Sequence, residues 1–542
     1  MQDLPGRNLF LIFALAVCAG TVAQATTLDT IGVTILRAVT TNLDGSGIRV
    51  AQPEAAYPFT PPGTNTWEVQ PGAVGQPASL FTYISSGGSA NIFPNALGFY
   101  SDHANSVGGN FYGLGSGVAT DVAHVDNYDA DYFYNNIIYP PAPANTNDLV
   151  VNQSFTFGNV STNIPTPAND VSVSDQQTID SKYDNYAARY NTLFVSAVNN
   201  GGSVSPPGTS YNCIGVGDSD GNSSIGPTLD NGRAKPDIVA PGGETSFSTP
   251  YVAGAAAVLI QAGLRGDGGS DTNAAADMRT VKALLLNGAI KPVGWTNIFP
   301  SPLDAHYGAG VLNVFNSYEQ LAGGQQGYID STSVITNSPH PPTGATGTIG
   351  GLSGWDFNTN TSSATTDTVK HYYFNATNGL NNALFAATAT LVWNRHNNKT
   401  NINNLDLFLY DTILSNLVAC STSLVDNVEH LWLPQLPQGR YDLQVLKHGG
   451  TTVTTNEVYA LAWDFYGNSF TIEGTGTNIL LTWPVHWPVY PAEFFVETTP
   501  NLGFPGWTTN GTPAPVVTNN SSYILLDVTN VNQFFRLHRQ NY

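Results

Sequence analysis

The sequence predicts an α/β unit, a parallel sheet flanked by helices, followed by all-β sandwich modules, which resemble the jelly-roll type. Three observations predict it. Short apolar runs, GIRVAQ (47–52), VATDVAHV (118–125), DLVVNQSF (148–155) and NTLFVSAV (191–198), suit buried parallel strands, and the stretches between them are long enough to cross over as helices. Beyond residue 343 the grammar changes to period-two alternation bounded by turn residues, as in ALFAATATLVWN (383–394), LDLFLYD (405–411) and GRYDLQVL (439–446). Near the end of the first part stands GGETSFSTPYVAGAAAVLIQAG (242–263), a small-residue run that reads as a closely packed core helix.

Taken in order, residues 1–25 read as a secretory signal. Arg7 is their one basic side chain, Leu9 to Val17 is apolar, and Ala23-Gln24-Ala25 offers a small-x-small cleavage site. The apolar run is too short to span a membrane, and no later segment is expected to approach the required length. The expected location is therefore secreted, periplasmic or at the cell surface, without membrane insertion. Residues 26–325 form the α/β domain. Within it Ile179–Tyr190 is a crossover helix, 279–291 (RTVKALLLNGAIK) a late helix, and 305–321 a glycine-rich turn with a closing helix. Residues 326–343 read as a linker, 344–469 as a β-sandwich domain, and 470–542 as a small all-β module with no visible chemistry.

At 542 residues the chain exceeds a single core. Charged residues make up only 11% of it and the net charge is −21, against about 25% charged in ordinary globular proteins. An acidic, sparsely charged chain lacks the basic face that nucleic acid demands. Downstream of the signal only Cys213 and Cys420 remain. They could form one bridge between domains or remain buried thiols, and two cysteines make no disulfide framework.

The chemistry centres on Ser246. Thr245 and Ser246 fall where an N-cap would, Pro250 is expected in the first turn, and a run from Ala253 to Ala257 follows. A hydroxyl there sits near free backbone N–H groups at the positive end of a helix, which favours developing negative charge. The stretch resembles the serine motif of the subtilisin-like peptidases (subtilases), Gly-Thr-Ser-x-x-x-Pro-x-Val-Ala-Gly. That resemblance implies a nucleophile, a base, an orienting acid and an oxyanion donor. The base it implies is His103 in DHANSVGGNFYG, where Val107 and Gly109 match the family's His-Gly-Thr-x-Val-Ala-Gly and Ala104 and Asn105 replace Gly and Thr. The oxyanion donor it implies is Asn200 in LFVSAVNNGG, with Asn199 as the alternative one position earlier. The family's Asp at the end of the first core strand corresponds to Glu54 in GSGIRVAQPE, with Asp44 and Asp102 as other carboxylates in reach of the argument.

The segment DLVVNQSFTFG resembles the family's cleft-lining strand. It implies substrate contacts at Ser154 and Phe155, with Val198 opposite them, while Phe155 and Phe157 either crowd the cleft or pack inward. No cofactor is required. Asp126, Asp129 and Asp131 could hold a structural calcium. The expected function is a secreted serine endopeptidase acting on protein or peptide through Glu54, His103 and Ser246, its β modules free to touch a surface or glycan. Glu54, and Glu244 where the family has Gly, leave open a catalytically silent surface protein. A sedolisin-like acid peptidase also uses Glu, but His103 and an Asn at position 200 argue against it.

Overall fold

A computed structural model describes residues 26–56, 66–158, 171–334, 341, 345–377, 384–450 and 453–467, and shorter β segments between 471 and 539. The signal sequence expected at residues 1–25 lies outside the described residues.

Among the described residues the α/β domain contains ten strands: β1 (Arg49–Glu54), β2 (Thr66–Glu68), β3 (Phe81–Ser85), β4 (Gly88–Ala90), β5 (Phe99–Tyr100), β6 (His124–Asp129), β7 (Val150–Gln153), β8 (Leu193–Ala197), β9 (Ile214–Asp218) and β10 (Ile238–Ala240). Eight of them form one sheet in the order β10-β9-β8-β7-β1-β6-β3-β4, parallel except for β4, while β2 and β5 make a separate pair. Every residue of β7, β8 and β9 is buried, as expected of strands covered on both faces. The run at 118–125 behaves differently from its reading as a strand. Residues 117–119 are held in a turn by Arg37, which donates to the Gly117 and Val118 carbonyls, and β6 begins only at His124. Pro53 is tolerated near the end of a central strand because β7 pairs with β1 only at Val50 and Ala51.

The crossover helix is longer than the sequence suggested, Val173–Tyr190, and the two late helices are Met278–Asn287 and Val314–Ala322. The central helix, Thr245–Arg265, is apolar enough to cross a membrane by length and composition, contrary to the expectation that no later segment approaches that length. The fold instead surrounds it, with its most apolar stretch 83% buried. Gly254 lets it lie against the end of the helix Asp102–Phe111, since a Cβ there would stand 2.6 Å from that of Val118.

Among the described residues the C-terminal part is all-β. One antiparallel sheet runs in the spatial order Asp330–Val334, Asp367–Ala376, Gly439–Lys447, Leu405–Asp411, Leu417–Ser421. A second runs Ser353–Thr361, Asn456–Gly467, Leu384–Trp393, Val428–Pro437. Alternate residues of both sheets meet in one apolar core containing Phe374, Leu407, Leu443, Leu391, Trp393 and Trp463. Residues 330–334, inside the stretch read as a linker, are thus the edge strand of a sheet, paired from Asp330 opposite His371.

This β-rich domain is joined to the α/β domain through buried groups. Trp355, Val392, Val428, Ala460 and Ala462 belong to the α/β core, and Thr388 and Thr390 donate to Asn287 Oδ1 at 3.0 and 2.9 Å. Arg395 pairs with Asp184 at 2.6 Å, and its backbone is bracketed by the Asn212 amide. Both cysteines are free thiols, Cys213 buried and Cys420 half-buried.

Candidate active site

The carboxyl ends of β1, β7 and β8 open into a cavity of about 240 Å³ whose lining includes Ala55, His103, Ser154, Phe155, Asn200 and Ser246. Crevices outside the carboxyl ends of parallel strands are where open α/β sheets build their sites.

Glu54 ends β1 and is only 2% exposed, so its carboxylate must find partners. His103 supplies one. The imidazole lies in the first turn of Asp102–Phe111, and its Nδ1 stands 2.8 Å from Glu54 Oε2. The other oxygen, Oε1, accepts from Gln52 Nε2 at 2.8 Å. Burial works to depress the His103 pKa, but the charge and hydrogen bond of Glu54, with the charge of Glu244, outweigh it and hold the pKa above the ordinary histidine value. Neither alternative acid serves. The backbone N–H of Asp44 is bonded to Gln261, fifteen residues along the central helix from Ser246 and hence roughly 22 Å from it. Asp102 is exposed at the start of the histidine helix.

Glu244, not Thr245 or Ser246, is the N-cap of the central helix, and its side chain makes no capping bond. Thr245 and Ser246 are the first two helical residues. Asp220 fixes the approach by accepting from the N–H groups of Gly242 and Gly243. Within the first turn the Thr245 N–H goes to Asn200 Oδ1 at 2.8 Å, and those of Phe247 and Ser248 go to the Glu244 carbonyl. The Ser246 N–H is left as the free donor of that turn. Because Asn200 Oδ1 also accepts from Thr245 Oγ1 at 2.8 Å, its amide nitrogen remains a donor at the cleft rim. Asn199 has a different task. At φ 104° it turns the loop, its Oδ1 taking the Asn200 N–H.

Pro250 lies in the second turn rather than the first, where it removes the N–H that would have bonded the Ser246 carbonyl. Ser154 Oγ donates to that carbonyl at 2.8 Å, while Ser246 Oγ donates to the Ser154 carbonyl at 3.2 Å. The two serines therefore clasp across the cleft floor. His103 meets the same turn from the other side, its ring centroid 5.7 Å from that of Phe247.

The expected substrate contacts divide. Ser154 and Phe155 line the cavity, but Val198 does not; it is fully buried, and its neighbours Ala197 and Asn199 line the cleft instead. Val198 lies just beyond the end of β8, where its side chain is turned into the core. Phe157 packs inward on Tyr134 and Tyr183, so only Phe155 borders the cleft. The three acids considered for calcium are not gathered. Asp126 is paired with Arg49 at 2.7 Å, Asp129 caps a short helix through the Tyr132 N–H, and among the described residues no group of three or more metal-ligating side chains comes together.

Charged residues just before the serine segment are structural. Arg233, buried, pairs with Asp180 and Asp230, while Asp237 is held by Lys235 at 2.5 Å and Lys282 at 3.1 Å. Sequence reading missed Gln52 and Thr245 as partners of the site. The period-two pattern of β1, which puts residues 52 and 54 on one face, is the signal that could have found Gln52.

Residues 108–310 match the family model described as the subtilase family; the span includes Asn200 and Ser246 and begins after His103 and Glu54. Among solved structures, the prenylagaramide maturation protease PagA is 17% identical, covering 54% of this chain and 99% of its own, with a TM-score of 0.34. A serine protease of Aeromonas sobria is 14% identical, covering 78% and 89%, with a TM-score of 0.34. The PatG macrocyclase in complex with peptide is 15% identical, covering 55% and 97%, with a TM-score of 0.35. No curated protein matches the chain in sequence.

Proposed function

We propose that this chain is a secreted endopeptidase of the subtilase type in which Ser246, His103 and Glu54 form the catalytic triad; the match of residues 108–310 to the subtilase family model supports the reading. The observation that carries the reading is the 2.8 Å contact between His103 Nδ1 and Glu54 Oε2 in a cavity that Ser246 also lines. Ser246 Oγ, released from the Ser154 carbonyl as substrate enters, attacks the scissile carbonyl carbon. His103 Nε2 takes the hydroxyl proton and later delivers it to the leaving amine. Glu54 holds the Nδ1 proton, fixes the tautomer and offsets the imidazolium charge. The tetrahedral oxyanion is met by the Ser246 N–H and the Asn200 amide nitrogen. Water then repeats the sequence on the acyl-enzyme.

Secretion rests on the N-terminal sequence and the sparse, acidic charge. The two C-terminal β sheets, read as a sandwich, would carry any contact with a surface or glycan.

Cleavage of casein by the purified protein, compared with Glu54→Gln and Asn200→Ala, tests the assignment. Glu54→Gln is expected to lose on the order of 10⁴-fold in kcat through the wrong histidine tautomer, and Asn200→Ala on the order of 10²–10³-fold. A folded wild type with no activity would instead favour a silent scaffold. An active Glu54→Gln would move the acid's role elsewhere.

A further inference from the structure

Gln52 is placed as few buried glutamines are. It is 0% exposed, and both amide hydrogens and the amide oxygen are bonded to groups on β1 and the histidine helix. Its Nε2 donates to Glu54 Oε1 at 2.8 Å and to the Ala104 carbonyl at 3.0 Å, the first turn of the histidine helix. Its Oε1 accepts from Tyr112 Oη at 2.5 Å, and Tyr112 caps the far end of that helix. The amide orientation is forced, because a carboxylate and a carbonyl on one side both require donors. Tyr112 is likewise fixed as a donor, since burial, with the charges of Glu54 and Tyr83, pushes its phenol well above the ordinary value. Gly108 makes the room, for a Cβ there would stand 2.8 Å from Tyr112 Oη.

We infer that Gln52, braced by Tyr112, is a positioning residue that fixes the Glu54 carboxylate against His103 and locks the histidine helix to β1. The inference rests on the triad reading above. A glutamate has one more rotatable bond than an aspartate, so its head group needs an external restraint to present one oxygen steadily to Nδ1. Gln52 supplies that restraint by holding Oε1 while Oε2 faces the imidazole. It touches no substrate and transfers no proton.

The test is the imidazole titration of His103, followed by NMR in Ser246→Ala protein so that the outcome does not depend on acylation. The charges acting on His103 are Glu54 from β1 and Glu244 from the loop before the central helix. Gln52→Met keeps length and removes both donors; Tyr112→Phe removes only the brace. Loosening Glu54 weakens the interaction that raises the His103 pKa, so the titration midpoint should move to lower pH in Gln52→Met and by less in Tyr112→Phe. With Ser246 restored, kcat of Gln52→Met should fall roughly 10- to 100-fold with KM little changed, the scale of a hydrogen bond to a charged group. The acid limb of its kcat/KM profile should shift the same way. A His103 midpoint unmoved in folded Gln52→Met, or in Tyr112→Phe should the first variant not fold, overturns the inference. Glu54→Gln inactive beside an unaltered Gln52→Met would sink it while leaving the triad standing.

Discussion

Ser154 Oγ donates to the carbonyl of Ser246 at 2.8 Å, and the reason lies four residues further on. Pro250 has no N–H to close the helical bond to that carbonyl, and Ser154 fills the place from the neighbouring strand end. The Ser246 segment is thereby tied to the cleft wall rather than to its own helix. The two sites should be energetically coupled. Ser154→Ala alone should cost about 1 kcal/mol by leaving a carbonyl unsatisfied, and less in a Pro250→Ala background, where position 250 regains a donor. A double-mutant cycle by urea unfolding checks it; additive effects would contradict the exchange of partners.

Glu244 should set where on the pH scale the enzyme begins to work. On the proposed triad His103 is the general base, active when neutral, and the acid limb of kcat/KM reports its free-enzyme pKa, which Glu54 and Glu244 together hold above the ordinary value. Glu244→Gln removes one of those charges. Its acid limb should move toward lower pH, with kcat on the plateau retained to within about threefold, because an exposed charge acts through screening solvent. High salt should move the wild-type limb in the same direction.

Asp148 offers a stability test remote from catalysis. It is 1% exposed at the foot of β7, and burial, then the neighbouring Asp126 charge, raises its pKa to about 8 despite the opposing pull of Arg49. The folded protein thus keeps Asp148 protonated where the unfolded chain has lost the proton. Its contribution is fully present below the ordinary carboxylate pKa and is lost as pH rises from about 4 to about 8. Asp148→Asn copies the protonated form. It should be more stable than wild type by a margin that grows with pH, from about 1 kcal/mol or less at pH 4.5 to several kcal/mol at pH 8, read from denaturant midpoints at the two pH values. Equal stability at pH 8 would contradict the assignment.

Much of this site was legible because its signals are local. The Ser246 segment carries its helix start and small residues in one run, and His103 and Asn200 sit in short motifs of their own. The parts that escaped depend on neighbours distant in sequence. Gln52 becomes informative only when β1 lies beside the histidine helix, and Ser154, expected as a substrate contact, gains its bond to the Ser246 carbonyl only because Pro250 leaves that carbonyl vacant. Val198 was misplaced because a motif names a segment, whereas the fold beyond the end of β8 turns that one side chain into the core. Strands β3, β9 and β10 were passed over for a related reason. They are short, rich in Gly or interrupted by polar residues, and β9 and β10 owe their burial to sheet neighbours and the central helix together. The edge strand at 330–334 reads as polar linker because most of its side chains face solvent and its order comes from backbone pairing with 367–371.

The most direct measurement is the mass of the intact protein after exposure to a fluorophosphonate, with peptide mapping of the adduct. The triad account predicts a single adduct, on Ser246, formed faster as pH rises through the His103 titration and absent from Ser246→Ala. Folded wild type that takes no label, or label that persists in Ser246→Ala, would contradict it.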